Sequence, residues 1–518
     1  MNKRRLALLS AIALVSLGAA APSADLLIRG GTVYPGAGRP FVGDVAVSGD
    51  RIIAVGRRLG IPARRVIDAR GLIVAPGFID PHTHAAAQIS ADDAQARLLP
   101  GFLMQGVTTI VIGNDGTGDP DVAAVLASAR TKPVGANYAA LVGFGAVRKA
   151  VVGEADRAPS TAELARMKQM VATAMCGGAL GLSTGLFYAP QSFAKTDEVI
   201  ALAREAGRRG GLYDSHLRDE SSYTIGLTAA VGEALTIGRE ARLPVNISHI
   251  KALGVDVHGQ ATAIIARVEA ARRAGQRVTA DQYPWSASGT SLVAALVPLW
   301  AQDGGRAALL NRIDDPALAE RLRAAIADNL RRRGGAAALL ITEGAERRRT
   351  LEQVAKARKL DPIAAALAVI RVKDPAVASF NQIEADIAAF MRRPWVMTGS
   401  DASPGHPRAF GTFPRKYSEY VVKRKVLSLR DFIERSTALT ADTFGLKDRG
   451  RLRPGAYADI ILFDPRTFAA RATYDRPTEL ATGVRTLIVN GVPAIDNGVV
   501  TGAAAGRAIA KTPPPGIC

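Results

Sequence analysis

Cysteine is nearly absent from this chain of 518 residues, which contains only Cys176 and Cys518. Two cysteines are too few for the disulfide framework of a small secreted scaffold, and we interpret Cys176 as a packing residue. Cys518 follows three consecutive prolines. We expect this tail, residues 505–518, to be extended and loosely ordered.

The chain also lacks the basic runs interleaved with aromatic residues that are typical of nucleic-acid-binding proteins. Aromatic residues make up 5% of it, and the formal net charge of +19 comes mostly from scattered arginine. We therefore expect no nucleic-acid partner. A solvated basic surface is the preferred interpretation, and attraction of acidic small molecules or envelope surfaces is the alternative. With 48% hydrophobic and 22% charged residues, the composition is that of a soluble globular protein with one large and one smaller domain.

The N-terminus differs from the rest of the chain. Three basic residues, 3–5, precede an apolar run over residues 6–17 that closes on small residues at 18–20. The run is too short to span a membrane and predicts a secretory signal over residues 1–20, with a disordered or helical N-terminus as the alternative. No cysteine follows the run, so a lipoprotein anchor has no attachment point. We expect an exported, periplasmic protein without a membrane span.

The two ends of the remaining chain share one pattern of secondary-structure signals, and the middle shows a different pattern. Residues 25–70 and 445–500 contain short strand-like runs with turn residues, which predicts one small β-sandwich domain assembled from both ends. Residues 71–444 alternate apolar runs with helical stretches, as parallel strands joined by helices do. In a (β/α)₈ barrel of this kind, chemistry lies at the carboxyl ends of the strands. The alternation of strands and helices becomes irregular over residues 286–341, which indicates an insertion.

Two of the six histidines, His82 and His84, end an apolar run. Side chains alternate faces along an extended segment, so both imidazoles can bind one metal ion, for which zinc is the default. Further candidate ligands also follow apolar runs, and these are Asp115, His216, His249 and Asp401. Each has a structural alternative, a hydrogen-bonded core histidine or a helix-capping aspartate. As a set they predict a centre for one or two divalent ions.

These motifs resemble those of the amidohydrolase superfamily, and within it the N-acyl-D-amino-acid deacylases (D-aminoacylases). The resemblance covers nearly the whole mature chain, and its most specific stretches are residues 76–84, 178–186, 248–251, 399–401, 410–415 and 452–459. It implies that His82, His84 and Asp401 hold one ion and that His216 and His249 hold a second. The family carries cysteine where this chain has Asp115. A carboxylate can also bridge two ions, but it shifts preference away from the softest metals.

The implied reaction is hydrolysis of an N-acyl-D-amino acid to a carboxylate and a free D-amino acid. Water activated by metal would attack the amide, with Asp401 as general base and then general acid. Lys251 lies two residues beyond His249, on the same side of an extended strand end, and is expected to bind the substrate carboxylate. The alternative for Lys251 is a solvated loop lysine.

The resemblance also assigns substrate contacts to Tyr188 and Tyr283, for which ordinary packing is the alternative. Arg408 either steers an acidic substrate side chain or braces a loop. The segment comparable to residues 286–341 is a flap in the family, which predicts a lid here, with a passive surface decoration as the alternative.

Two other functions compete with this one. A cyclic amide hydrolase of the dihydroorotase or hydantoinase kind would use a carboxylated lysine as bridge, and residues 181–186 contain no lysine. A non-catalytic binding protein on the same barrel would have no reason to retain every predicted ligand. The residues themselves distinguish neither D from L substrates nor one acyl group or side chain from another, and they leave the oligomeric state open.

Overall fold

The computed structural model describes residues 23–518. The secretory signal predicted over residues 1–20 lies outside the described residues. Within the described part, every helix is too short or too polar to cross a lipid bilayer.

The first and last strands of the described chain form one nine-stranded sheet. Strand Ile73–Pro76 joins the two contributions, since it pairs in parallel with Thr32 and Val33 and antiparallel with Ile460–Phe463. The domain predicted from both chain ends is therefore present as a sheet. Its strands are Ala24–Val33, Phe41–Ser48, Arg51–Gly56, Ala63–Asp68, Ile73–Pro76, Ile460–Phe463, Val484–Val489, Val492–Asp496 and Val499–Val500.

Alternate residues of this sheet face two different cores, as the period of two along a strand requires. Ile460 and Leu462 pack in a cluster that belongs to the small domain and includes Ile28 and Val45. Ile461 lies on the opposite face and packs in the main core together with residues of the parallel strands. The sheet is thereby attached to the rest of the molecule through one apolar face.

The middle of the chain contains parallel strands in nearly sequential order, in agreement with the predicted alternation of strands and helices. Three of them form one sheet and six form another. The two sheets adjoin where Asn137–Ala140 is followed by Val142–Gly143. The strands are Phe78–Asp80, Val107–Ile112 and Asn137–Ala140, and then Val142–Gly143, Gly181–Gly185, Leu212–His216, Val245–Ile247, Val278–Gln282 and Val396–Thr398.

Backbone hydrogen bonds also connect the last parallel strand to the first. The Asp401 N–H donates to the His82 carbonyl at 2.9 Å, and the His84 N–H donates to the Ala402 carbonyl at 3.0 Å. Asp80 strengthens this junction, because its Oδ1 accepts from the backbone N–H groups of His82 and Ser400. The segments that follow the first and last strands are therefore neighbours.

Helices connect and cover these strands. Helix Thr161–Cys176 begins with a capping box, since the Ser160 side chain accepts from the Glu163 N–H and the Glu163 carboxylate accepts from the Ser160 N–H. Gly177 ends this helix. The helices outside the insertion are Ala86–Ser90, Ala94–Arg97, Pro100–Leu103, Val122–Ala127, Phe144–Val151, Thr161–Cys176, Thr196–Arg208, Leu227–Ala241, Ala261–Arg273, Glu384–Met391, Arg408–Arg415, the π-helix Lys416–Lys423, Leu429–Ser436 and Ala438–Phe444.

The insertion is a subdomain with its own core, and it is longer than the predicted span of residues 286–341. Strand Ala376–Phe380 returns to pair antiparallel with Ala287–Ser291, so the subdomain closes only near residue 380. The local pattern could not reveal a pairing between strands so far apart. The other strands are Leu339–Ile341 and Arg349–Thr350, and the helices are Leu292–Leu296, Leu299–Gln302, Gly305–Asp314, Ala319–Arg332, Leu351–Arg358 and Pro362–Val372.

A disulfide joins Cys176 to Cys518, so the interpretation of Cys176 as a packing residue is wrong. The tail that ends in Cys518 is also attached by backbone hydrogen bonds. The backbone N–H of Tyr138 donates to the Arg507 carbonyl at 3.0 Å, and the backbone N–H of Lys511 donates to the Gly178 carbonyl at 2.9 Å. The expectation of a loosely ordered tail over residues 505–518 therefore fails for residues 507–511. The two cysteines are 342 positions apart, a separation that no local sequence pattern reports.

Replacing Cys518 by serine is expected to lower the free energy of unfolding by about 2–4 kcal/mol, because the cross-link restricts the unfolded chain. Thermal unfolding with and without dithiothreitol measures this. Reductant should destabilise the wild type to the level of Cys518→Ser and leave the variant unchanged. Two free thiols in the denatured, unreduced wild type would contradict the disulfide.

Candidate metal centre

The carboxyl ends of five parallel strands carry the predicted metal ligands. His216 ends its own strand, whereas His82, Asp115, His249 and Asp401 lie two or three residues beyond theirs. Asp115, His249 and Asp401 adopt positive φ values of 56°, 36° and 48°. Residues other than glycine seldom adopt this conformation, and functional sites are where such strain collects. The sharp turns direct side chains of separate strands toward one point.

The Asp115 carboxylate lies at the centre of the cluster. Its Oδ1 is 3.3 Å from His82 Nε2 and 3.5 Å from His249 Nε2. Its Oδ2 is 3.4 Å from His84 Nε2 and 3.7 Å from His216 Nδ1. All four predicted imidazoles therefore surround one carboxylate.

Asp401 completes one side of the cluster, because its Oδ1 is 3.3 Å from His84 Nε2 and 3.7 Å from His82 Nε2. Two groups of side chains can thus each hold an ion, and they share Asp115. The first group contains His82, His84, Asp115 and Asp401, and the second contains Asp115, His216 and His249. The structure brings together every residue that the sequence predicted as a ligand.

Several of these ligand atoms are buried without a hydrogen-bond partner, namely both ring nitrogens of His82 and His216 and Oδ1 of Asp115. Buried polar atoms without partners are rare because their desolvation is uncompensated. A divalent cation would satisfy one nitrogen of each ring and the Asp115 oxygen, and four imidazoles with two carboxylates are suitable ligands for zinc. The residues present therefore fit one or two such ions.

The pKa shifts in the cluster show that its electrostatic environment favours positive charge. Burial alone would lower the pKa of His84, but hydrogen bonds with Asp115 and Asp401 raise it to about 9. Burial alone would raise the pKa of Asp401, but Arg408 and His249 hold it well below its usual range. Asp401 is therefore a carboxylate, and the imidazoles lie in a negative potential that a divalent cation would also experience.

A layer of buried polar groups that the sequence analysis missed lies behind the ligands. Asn246 Nδ2 donates to Asp214 Oδ1 at 2.8 Å and to Asp281 Oδ2 at 2.9 Å. Asp281 Oδ1 accepts from the His249 N–H and lies 3.8 Å from His82 Nδ1. Groups of this kind orient the ligands in front of them. Their position at strand ends was the available signal, but aspartate and asparagine are also common turn residues there.

Glu220 is a second missed residue. It is buried four positions beyond His216, and its Oε1 lies 3.1 Å from His249 Nδ1 and 2.6 Å from Lys251 Nζ. Burial alone would raise the pKa of Glu220, but Lys251 and the imidazoles hold it below its usual range. His249 Nδ1 thus contacts both Glu220 Oε1, at 3.1 Å, and Lys251 Nζ, at 2.7 Å, and Nε2 is the ring nitrogen that faces Asp115.

The predicted substrate residues lie beside this cluster in different settings. Lys251 is buried rather than solvated and borders the cavity. Tyr188 also borders the cavity, and its hydroxyl accepts from Thr290 at 3.3 Å. Tyr283 is buried with its ring centroid 4.7 Å from the Arg408 guanidinium carbon. Arg408 Nη1 is 2.8 Å from Asp401 Oδ2, so this arginine braces the predicted acid/base group.

A cavity of about 520 Å³ opens onto the cluster. Asp115, His216 and Asp401 form part of its wall, and the insertion forms another part through Ser291 and Thr342. The insertion therefore encloses the site and is more than a surface decoration.

Comparisons with known proteins agree with this geometry. The family model described as amidohydrolase family matches residues 65–495. A D-aminoacylase from Alcaligenes xylosoxydans xylosoxydans is 34% identical over 520 residues, which cover 94% of this chain and 98% of that protein.

Two solved structures share the fold at a TM-score of 0.80, each with 94% of this chain covered and 100% of the other chain. One is an N-acyl-D-glutamate deacylase from Bordetella bronchiseptica, 31% identical, complexed with zinc and a phosphonate that mimics the tetrahedral reaction intermediate. The other is a D-aminoacylase with a binuclear metal centre, 32% identical.

Replacing Asp115 by asparagine should weaken both zinc positions, because the two ligand groups share its carboxylate. The loss of affinity should exceed the roughly 10–100-fold that removal of an outer-shell partner costs. Zinc content after dialysis, measured by mass spectrometry, gives the result. His216→Asn is the matched control and should deplete one position only. Retention of wild-type zinc content by Asp115→Asn would contradict the shared-carboxylate geometry.

Proposed function

The chain belongs to the amidohydrolase family, and from this premise we propose that it hydrolyses N-acyl-D-amino acids to a carboxylate and a free D-amino acid. The observation that carries the proposal is the cluster itself. Two ligand groups share Asp115, and Asp401 faces the same cavity with Arg408 behind it. Relatives that align over nearly the whole chain act on this class of compound.

Zinc is the cofactor, and His82, His84, Asp115 and Asp401 would hold one ion while Asp115, His216 and His249 would hold the other. Bound zinc lowers the pKa of water from 15.7 to roughly 7 and polarises a carbonyl. The carboxylate of Asp115 is a harder ligand than a thiolate. Manganese or cobalt would therefore compete with zinc more effectively at this site than at a site bridged by cysteine.

Asp401 performs the proton transfers. Its low pKa keeps it ionised, so it can accept a proton from the attacking water. It then donates that proton to the departing amide nitrogen, which leaves as a neutral amine. The Arg408 guanidinium fixes the other carboxylate oxygen at 2.8 Å, so the carboxylate holds one orientation through both transfers. Lys251 supplies a cation for the substrate's α-carboxylate.

A cyclic amide hydrolase is the second candidate function. Strand Gly181–Gly185 supplies no lysine that could be carboxylated, and its Ser183 hydroxyl instead donates to the Gly113 carbonyl beside Asp115. Asp115 belongs to both ligand groups and would bridge two ions in place of such a lysine. These observations favour linear N-acyl amino acids, and hydrolysis of a hydantoin without turnover of any acyl amino acid would reverse the choice.

The proposal extends to a barrel, a small β-sandwich and a lid. The junction between Asp401 and His82 supports a closed (β/α)₈ barrel. The apolar cluster that joins Ile28 and Val45 to Ile460 supports a sheet curved into a small β-sandwich. The insertion supports a lid, because its residues line the same cavity as the metal cluster.

We also propose that the protein is exported to the periplasm after removal of residues 1–20. The Cys176–Cys518 disulfide supports this location, because such bonds persist in oxidising compartments and are rare in the cytosol. Cell fractionation with N-terminal sequencing of the mature protein tests it. A cytoplasmic protein that starts at Met1 would refute it.

Asp401→Asn tests the mechanism. Loss of the acid/base group should lower kcat for an N-acetyl-D-amino acid by roughly 10²–10⁴. Zinc should remain largely bound, since His82, His84 and Asp115 are unchanged. Asp442→Asn, at a 60% exposed aspartate paired with Arg451, is the control and should keep full activity. Wild-type turnover by Asp401→Asn would remove Asp401 from the mechanism.

A further inference from the structure

We propose that Arg333 binds a carboxylate on the side chain of the substrate, so that N-acyl derivatives of acidic amino acids are the preferred substrates. The inference rests on the proposed function, because it takes an N-acyl amino acid as the occupant of the cavity. Arg333 borders that cavity, is 2% exposed, and forms no ion pair with any described residue. No motif singled this arginine out.

The contacts of Arg333 fix its guanidinium without neutralising it. Nε donates to the Ala295 carbonyl at 3.2 Å, and Nη1 donates to Ser379 Oγ at 3.1 Å. Both acceptors are uncharged. A buried charge that no opposite charge compensates is costly, and the planar guanidinium matches the two oxygens of a carboxylate.

The other cations of the site are already paired. Arg408 lies 2.8 Å from Asp401, and Lys251 lies 2.6 Å from Glu220. Arg148, a fully buried arginine elsewhere in the fold, is paired with Glu198 at 3.1 Å. Among these four, Arg333 is the one that has no carboxylate partner in the described part of the chain, so a substrate carboxylate would displace none there.

Tyr223 provides a second group at the same position. It borders the cavity, and its buried hydroxyl has no hydrogen-bond partner. The Arg333 guanidinium carbon lies 5.7 Å from the centroid of the Tyr223 ring. Burial raises the pKa of Tyr223, so the hydroxyl stays protonated and can donate. A carboxylate between the two side chains would accept from both.

The fold places Arg333 next to the segment that carries Lys251. Arg333 follows helix Ala319–Arg332 of the insertion, and the Arg332 carbonyl accepts from the Val255 N–H at 3.2 Å. Leu253, two residues beyond Lys251, borders the same cavity as Lys251 and Arg333. A substrate with its amide at the metal cluster and its α-carboxylate at Lys251 would direct its side chain toward Arg333.

Two acidic residues also border the cavity without pairing with Arg333. Asp374 accepts from the Val293 N–H at 2.9 Å, and Glu343 is partly exposed. Their negative charge disfavours a substrate carboxylate at their side of the cavity. Arg333 and Tyr223 are therefore the better position for it.

The test compares Arg333→Met with the wild type on N-acetyl-D-glutamate and N-acetyl-D-methionine, which differ in side-chain charge. The wild type should prefer the glutamate derivative. Loss of the guanidinium should lower kcat/KM for that substrate by at least about 100-fold and change it little for the methionine derivative. Arg323→Met is the matched control, since Arg323 lies on the same helix, pairs with Asp361 and does not border the cavity, and it should leave both values unchanged.

Two further variants separate the possible roles. Lys251→Met should lower kcat/KM for both substrates alike, as expected for a group that binds the α-carboxylate. Arg333→Lys, which keeps the charge but loses the planar fork, should recover part of the preference for glutamate. A purely structural Arg333 would instead lower thermal stability and both activities together, with no recovery in Arg333→Lys.

An equal loss on both substrates in Arg333→Met, or a wild-type preference for the methionine derivative, would overturn the inference and leave the deacylase function intact. A wild type that hydrolyses neither substrate, nor any other N-acyl-D-amino acid, would instead refute the proposed function. Turnover of the neutral substrate by the wild type distinguishes these failures.

Discussion

The contact of one carboxylate with four imidazoles is the interaction on which the site depends. Asp115 lies within 3.7 Å of His82, His84, His216 and His249, which come from the ends of three separate strands. Without a cation, so many buried polar atoms around one point would be expensive. The convergence of these strand ends therefore fits a metal centre, and the remaining features support that centre from outside.

Two kinds of support surround the ligands. Behind them, Asp214, Asn246 and Asp281 connect neighbouring strands through short hydrogen bonds, and burial raises the pKa of Asp214 to about 6. In front of them, the insertion encloses a cavity and contributes Arg333. The strands thus provide the chemistry, while the insertion provides the surface that meets the part of the substrate that does not react.

Much of the site could be predicted because its signals are local. The alternation of side chains in a strand placed His82 and His84 on one face, and an apolar run before each of Asp115, His216, His249 and Asp401 placed them at strand ends. Glu220 and Arg333 were missed, because their importance comes from contacts between segments distant in sequence. The disulfide and the far boundary of the insertion were missed for the same reason. Neighbouring residues in the sequence indicate the periodicity of strands and helices and the caps of helices. Contacts between residues hundreds of positions apart are visible only in the folded chain.

The most direct test of the account is X-ray diffraction from crystals of the zinc-loaded protein, with data collected on both sides of the zinc absorption edge. Two anomalous peaks are expected to flank the Asp115 carboxylate, one beside His82, His84 and Asp401 and the other beside His216 and His249. Peaks elsewhere, or none at Asp115, would contradict it.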